Sequence, residues 1–327
     1  RRYYDFLLDH RISAYNLPYD ILDERCDAYL SDPRVTSFVI PDGDDEKLRE
    51  YYKKLSGNPL WLAKGTFYPL DEPTTNGHID NLRSKAQRLR SLFPDCRIVT
   101  PFFRCSMYDE KRDFVDMMCG TTDVWCPKSF MFDSKNIYDK RQLAERKTFG
   151  ERMDERTALG DELWWYVCWE PGYPYLNLFI DMSGLDHRLL FWQQKLYGVK
   201  GFLYWGANYW NGVDDPWSDM RTVKDLSMDV FGDGSLMYNG NKVGVDGPCG
   251  SLRLNAIRDG IDDMAMLDMA QELLGDDFVS DIIGEVTTSL TQYTRCEDTF
   301  AAVRIKLGCA LEDASLLAKT DIKGELI

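Results

Sequence analysis

Histidine is scarce in this chain: His10, His78 and His187 are the only three among 327 residues, and they stand far apart. The nine cysteines (Cys26, Cys96, Cys105, Cys119, Cys126, Cys168, Cys249, Cys296 and Cys309) are an odd number at irregular spacing, and none forms a C-x-x-C pair. A zinc centre needs clustered imidazole and thiolate ligands, so no metal site is expected. Small buried thiols are the simpler reading. No G-x-G-x-x-G follows an early strand pattern, and no G-x-S-x-G elbow presents a serine nucleophile. The glycines at Gly240, Gly244, Gly247 and Gly250 lack the Lys-Ser/Thr of a phosphate-binding loop, so no cofactor is implied. Apolar runs stop well short of the roughly 18–20 residues that span a bilayer, which speaks against membrane insertion. Positive charge is also in deficit, with 39 Lys and Arg against 54 Asp and Glu and a formal charge of −15. Such a chain repels phosphate backbones, so nucleic acid is not an expected partner and a neutral ligand is. Arg1–Asp5 lacks the apolar core of a signal peptide, as a processed or truncated chain also would. A soluble protein is expected, secreted or cytoplasmic, with its oligomeric state open.

What the sequence does contain is apolar and aromatic: 44% hydrophobic residues and 13% aromatics, enough for a large core. Strand and helix patterns alternate. Strands are expected at Val35–Ile40, Leu60–Leu70, Arg97–Phe103, Asp123–Cys126, Glu162–Trp169, Gly201–Trp205 and, more weakly, Ser235–Tyr238. An extended stretch precedes them at Ile12–Leu17. Between them lie helical patterns at Asp44–Leu55, at Ile79–Phe93 with Leu82, Ala86, Leu89 and Leu92 on one face, at Phe114–Met118, at Asn136–Arg156 and at Leu185–Tyr197. The alternation predicts βαβ units and a parallel sheet, and eight strands are what an α/β fold of the (β/α)8 TIM-like barrel type requires. A doubly wound open sheet is the alternative. After Gly250 the grammar changes to three expected helices, Ser251–Leu274, Asp277–Thr294 and Glu297–Lys319. The organisation read from this is a barrel over residues 1–249 and a C-terminal helical appendage over residues 250–327.

The sharpest local feature is Tyr68-Pro69-Leu70-Asp71-Glu72-Pro73. In an α/β barrel the carboxyl end of a strand faces the active site. Neighbouring acids there separate in role, one ionised and one holding its proton, which suits glycoside hydrolysis. Pro73 restricts Glu72 to extended backbone in this reading. A helix N-cap or a solvated loop is the plainer alternative. Aromatics form the second feature: Trp164, Trp165, Tyr166 and Trp169 in one strand, Tyr173 beyond it, and Trp205, Tyr209, Trp210 and Trp217 at and after another. Sugar rings dock their C–H faces on such planes while Asn208, Asn211, Asp214 and Asp215 meet hydroxyls. For the strand tryptophans a core role is the competing reading, so Tyr173, Tyr209 and Trp210 are the better binding candidates. His187 is expected on a helix surface. Glu170 and Asp181 are acids that a second carboxylate role would draw on.

The acid-pair segment, the run Leu176–Asp181, Gly201–Trp205 with Trp210, and the segment Gly250-Ser251-Leu252-Arg253-Leu254-Asn255-Ala256-Ile257-Arg258-Asp259-Gly260 together resemble glycoside hydrolase family 123, over roughly residues 1–275. The resemblance implies a (β/α)8 barrel and an N-acetyl-β-galactosaminidase that retains configuration with help from its substrate. It makes Glu72 the general acid/base and Asp71 the partner of the 2-acetamido N–H. A tyrosine, Tyr166, Tyr173 or Tyr209, would bond the acetamido oxygen, and Trp165, Trp205 and Trp210 would wall the sugar pocket beside Tyr68. Members often carry an N-terminal β-sandwich, whereas this chain starts almost at the barrel. Two other functions stay open: a conventional retaining glycosidase with Glu170 or Asp181 as nucleophile, and a non-catalytic carbohydrate-binding barrel. In each the partner is a glycan or glycoside.

Overall fold

A computed structural model describes residues 1–103, 112–133, 147–210, 212–224 and 230–324. Cys105, Asn211 and most of the expected helix Asn136–Arg156 lie outside these residues, although a helix is present over Phe149–Ala158. The fold is mixed α/β with a parallel sheet. Two compact units share the chain: one holds Arg1–Tyr166, Gly201–Leu203 and Gly240–Pro248, the other Val167–Lys200, Tyr204–Asn239 and Cys249–Ile327.

In the first unit, strands follow one another in chain order. β1 (Phe38–Val39) pairs parallel with β2 (Gly65–Thr66). A parallel bridge from Phe67 to Ile98 leads to β3 (Val99–Phe102), and β3, β4 (Val124–Pro127) and β5 (Glu162–Val167) are parallel neighbours. β6 (Gly201–Tyr204) completes the four-stranded order β3-β4-β5-β6. Among the described residues these ladders do not close on themselves. The run Leu60–Leu70 departs from expectation. Asn58 caps Leu60 N at 3.0 Å and Pro59 occupies the first helical turn, so Pro59–Lys64 is a helix, and pairing is confined to Gly65–Thr66 and the bridge at Phe67. Gly65 permits that pairing, because a Cβ there would stand 2.8 Å from Ile40 Cδ1. The helix Asn76–Leu92, capped by Thr75, buries Ile79, Leu82, Ala86 and Leu89 as its 3.6-residue period predicts. Its end packs into a core where the Phe67 and Phe93 rings meet edge-on at 5.2 Å.

The second unit is dominated by the helices Gly184–Leu196, Leu252–Leu274 and Glu297–Gly324. At Gly260 a Cβ would approach Phe191 to 2.5 Å, so this glycine lets the first two helices touch. The expected second C-terminal helix is shorter than its pattern. It ends at Gly284, and a hairpin of Thr287–Ser289 and Gln292–Tyr293 follows, where Val286, Thr287 and Thr288 favour strand over helix. Arg253 is buried and carries the turns around it, donating to Leu178 O, Gly232 O, Ser235 O and Tyr238 Oη. Asp263 is fully buried and accepts from Arg188, Arg304 and the Trp192 indole. No helix among the described residues is long and apolar enough to cross a membrane.

Removing one partner of a buried charge cluster strands its buried neighbours. Asp263→Ala leaves Arg188 and the buried Trp192 indole without their acceptor, while Arg304, 40% exposed, regains water, and is expected to cost about 1–3 kcal/mol. Urea unfolding of this variant should show a lowered midpoint; a midpoint equal to that of the parent chain would mean that the cluster adds nothing.

Candidate active site

The candidate site of the first unit grows from the end of β2. Phe67 is buried in the core, so the alternation of an extended chain turns Tyr68 to the opposite face. The Tyr68 hydroxyl donates to Asp71 Oδ1 at 2.7 Å, and the Tyr15 ring meets the Tyr68 ring edge-on at 5.7 Å. Burial, then the charge of Asp71 and its hydrogen bond, push the Tyr68 phenol well above the ordinary range. Tyr15 is raised by burial and then by the same charge, and so is the buried thiol of Cys126 on β4. Asp71 is itself exposed, and its charge opposes ionisation of the Tyr68 and Tyr15 phenols and the Cys126 thiol.

Glu72 is held differently. The Tyr166 hydroxyl at the end of β5 donates to Glu72 Oε1 across 94 residues of sequence. Tyr166 is buried, and its backbone bridges to Lys128, itself 4% exposed. Lys128 Nζ lies 4.4 Å from the Phe103 ring centroid and 5.6 Å from that of Tyr166. The expectation that Pro73 keeps Glu72 extended is overturned: Glu72 has φ +41°, and among the described residues Arg11 is its one non-glycine companion at positive φ. Such a conformation costs about 1–3 kcal/mol and persists where the surroundings fix it. Here the bond to Tyr166 helps to fix it. The turn breaks the up–down alternation that would otherwise send Asp71 and Glu72 to opposite faces.

Trp165, adjacent to Tyr166 on β5, has no exposed surface and meets Phe132 edge-on at 6.1 Å. It offers no face to a sugar in this structure, as strand alternation requires of one member of the pair. The remaining candidates belong to the second unit. Trp205 and Tyr209 are 39% and 36% exposed, with ring centroids 4.9 Å apart. The Trp210 indole donates to Met237 O at 3.0 Å, and Tyr173 is exposed beneath the Arg295 guanidinium at 4.5 Å. Glu170 and Asp181 are surface acids. His187 is buried rather than on a surface, with Nε2 bonded to Phe179 O at 2.9 Å, and burial lowers its pKa. Sequence reading passed over Tyr15, Lys128 and Asp233. Lys128 leaves a trace as the one charge after the apolar Val124–Pro127, and Asp233 as an acid between two glycines. Among the described residues no group of His, Cys, Asp and Glu could hold a metal ion.

The model of the glycoside hydrolase 123 catalytic domain matches residues 48–270, a span that includes both carboxylates, Tyr166, Trp205 and Arg253. The chain belongs to glycoside hydrolase family 123. No curated protein matches it. As a family 123 glycoside hydrolase it acts on a glycan or glycoside, and the buried Arg253 gives the Ser251-Leu252-Arg253 segment a structural role: Ser251 caps the helix while Arg253 gathers carbonyls.

The raised Tyr68 sets a pH dependence. A folded-state pKa above the unfolded one contributes stability that is complete below the ordinary phenol range and lost as pH climbs through the raised value. In an alkaline titration followed by tyrosinate absorbance, Tyr68→Phe should remove no group that ionises below about pH 11. Loss of one phenol titrating near its ordinary value would show Tyr68 to be unperturbed.

Proposed function

We propose that this family 123 hydrolase is a β-N-acetylhexosaminidase, acting on N-acetyl-β-galactosaminides, that retains configuration through the 2-acetamido group of its substrate. The observation that carries this reading is the consecutive pair Asp71 and Glu72, each bonded to its own tyrosine. Two carboxylates on one turn approach a sugar from one side. That arrangement suits one acid acting on the leaving oxygen and one carboxylate orienting the acetamido group. It does not suit an acid and a nucleophile on opposite faces of the ring.

Glu72 donates its proton to the glycosidic oxygen as the C–O bond breaks. The acetamido carbonyl oxygen attacks the anomeric carbon and Asp71 accepts the N–H of the cyclising group. Water then opens the bicyclic intermediate after giving a proton to Glu72, so acid and configuration are both restored. Tyr166, which already reaches Glu72, is the positioning donor in unit 1. Tyr68 sets Asp71. Tyr173, Trp205, Tyr209 and Trp210 are the sugar-contact candidates of the second unit, and Tyr173 or Tyr209 is the candidate donor to an acetamido oxygen, since the Tyr166 hydroxyl already donates to Glu72. Trp165 acts beneath the surface as a support for β5. The chain-order succession β1 to β6 supports a (β/α)8 barrel over residues 1–249, with residues 250–327 as a C-terminal helical segment.

On chromogenic β-GalNAc and β-GlcNAc substrates, Glu72→Gln should lower kcat about 10³-fold, in the range of a lost general acid. Tyr166→Phe should lower kcat about tenfold with little change in KM, because its hydrogen bond strengthens as Glu72 gives up its proton. A thiazoline analogue of the cyclised intermediate should inhibit tightly. Equal turnover of glycosides that lack the 2-acetamido group would overturn substrate assistance, and undiminished hydrolysis by Glu72→Gln would remove Glu72 from the mechanism.

A further inference from the structure

The second unit contains a carboxylate that no step above uses. Asp233 is completely buried. Its Oδ1 accepts from the Tyr204 hydroxyl at 2.7 Å and its Oδ2 from the Trp205 indole N–H at 2.8 Å. Burying a charge is costly unless donors surround it. Here the Tyr204 hydroxyl and the Trp205 indole reach it directly, and the turn that holds them is fixed in its own right: Gly234 N donates to Tyr204 Oη at 2.9 Å, and the Arg253 guanidinium bonds Gly232 O and Ser235 O on either side. Burial first, then the Asp233 charge and hydrogen bond, hold the Tyr204 phenol well above its ordinary range, so it stays a donor.

The turn is shaped to bring this carboxylate to the indole. Gly232 and Gly234 both have φ +72°, a region that favours glycine. A Cβ on Gly234 would stand 2.4 Å from Trp205 Cζ2, so the bare backbone lies against the ring. The same residue fixes the neighbouring ring, because Tyr209 N donates to Gly234 O at 2.9 Å. Trp205 and Tyr209 consequently form a corner, inclined at 61°, that is clamped from below and partly open to solvent above.

We propose that Asp233 is the positioning residue of this corner, and that the corner's ligand is a pyranose ring stacked through its apolar C–H face. The inference rests on the sugar-contact role given above to Trp205 and Tyr209. A flat aromatic surface binds a sugar face well only if the ring is already in place, since ordering it on binding subtracts from affinity. Asp233 supplies that order. Two donors, an indole N–H and a phenol O–H, need an acceptor with two oxygens. A carboxylate has them, and an asparagine has one oxygen and a competing N–H₂.

The test is the affinity of the full chain for N-acetylgalactosamine by titration calorimetry. Asp233→Asn should weaken binding about tenfold, the usual effect of losing one hydrogen bond to a charged group. Trp205→Phe keeps an aromatic face but lacks the N–H, and in that background Asp233→Asn should add less than about twofold, because the two act through one bond. Tyr204→Phe removes only a hydroxyl and should weaken binding about threefold, which serves if Asp233→Asn does not fold. The proposal is overturned if Asp233→Asn binds like the parent, if its effect is as large in the Trp205→Phe background, or if the parent chain binds no N-acetylgalactosamine. Binding without hydrolysis of the chromogenic substrates would instead sink the proposed reaction and leave the corner standing.

Discussion

The first unit depends on one constraint: its strands β1 to β5 run parallel and in chain order. Parallel neighbours put all their carboxyl ends along one edge, so residues distant in sequence emerge side by side there. Tyr68 follows β2, Lys128 follows β4 and Tyr166 sits near the end of β5. The register Val124↔Glu162 and the bridge Lys128↔Tyr166 set the height at which the Tyr166 hydroxyl meets Glu72. A one-residue slip would turn Tyr166 into the core and bring Trp165 out in its place.

On that edge the two acids are distinguished by environment rather than by identity. Asp71 accepts from the Tyr68 hydroxyl and opposes ionisation of the phenols and thiol near it. Glu72 is tied to a buried tyrosine and carries backbone strain. Strain at a single residue of this kind is tolerable only on a frame that is otherwise well packed. The core beneath is dense, with Phe38, Phe67 and Phe93 nearly inaccessible to solvent. Stability gathered there offsets the unfavourable turn at the edge.

Much of this was legible in the residues. The helix Asn76–Leu92 follows from its apolar period and Thr75 cap, and β3 to β6 from short apolar runs between helices. Asp71 and Glu72 stood out because they close a long apolar run, at the end of a strand pattern that a barrel would turn toward its active site, although acid pairs at such ends are common. What escaped was governed by local signals weighed too lightly or by distance. Asn58-Pro59 starts a helix inside an apolar run that otherwise reads as strand. The φ of Glu72 answers to Tyr166, far along the chain, and no neighbour in sequence announces it. His187 reads as a surface residue from its polar neighbours, yet its helix is covered on most sides and the imidazole finds a carbonyl inside. Asp233 looks like one more loop acid until Tyr204 and Trp205 are seen to converge on it.

The interleaving of the two units bears on how the molecule is made. A ribosome delivers Asp71, Glu72 and Tyr166 early, yet the first unit also needs Gly201–Leu203 and Gly240–Pro248. Synthesis at about 5–20 residues per second leaves the nascent chain without those pieces for several seconds. During that interval the outer flank of β5 lacks β6, and its open ladder groups wait for a strand that has not yet emerged. Vectorial folding of this chain is therefore bound to finish after translation has passed residue 248, and an internal cut between the units cannot yield either one as a continuous fragment.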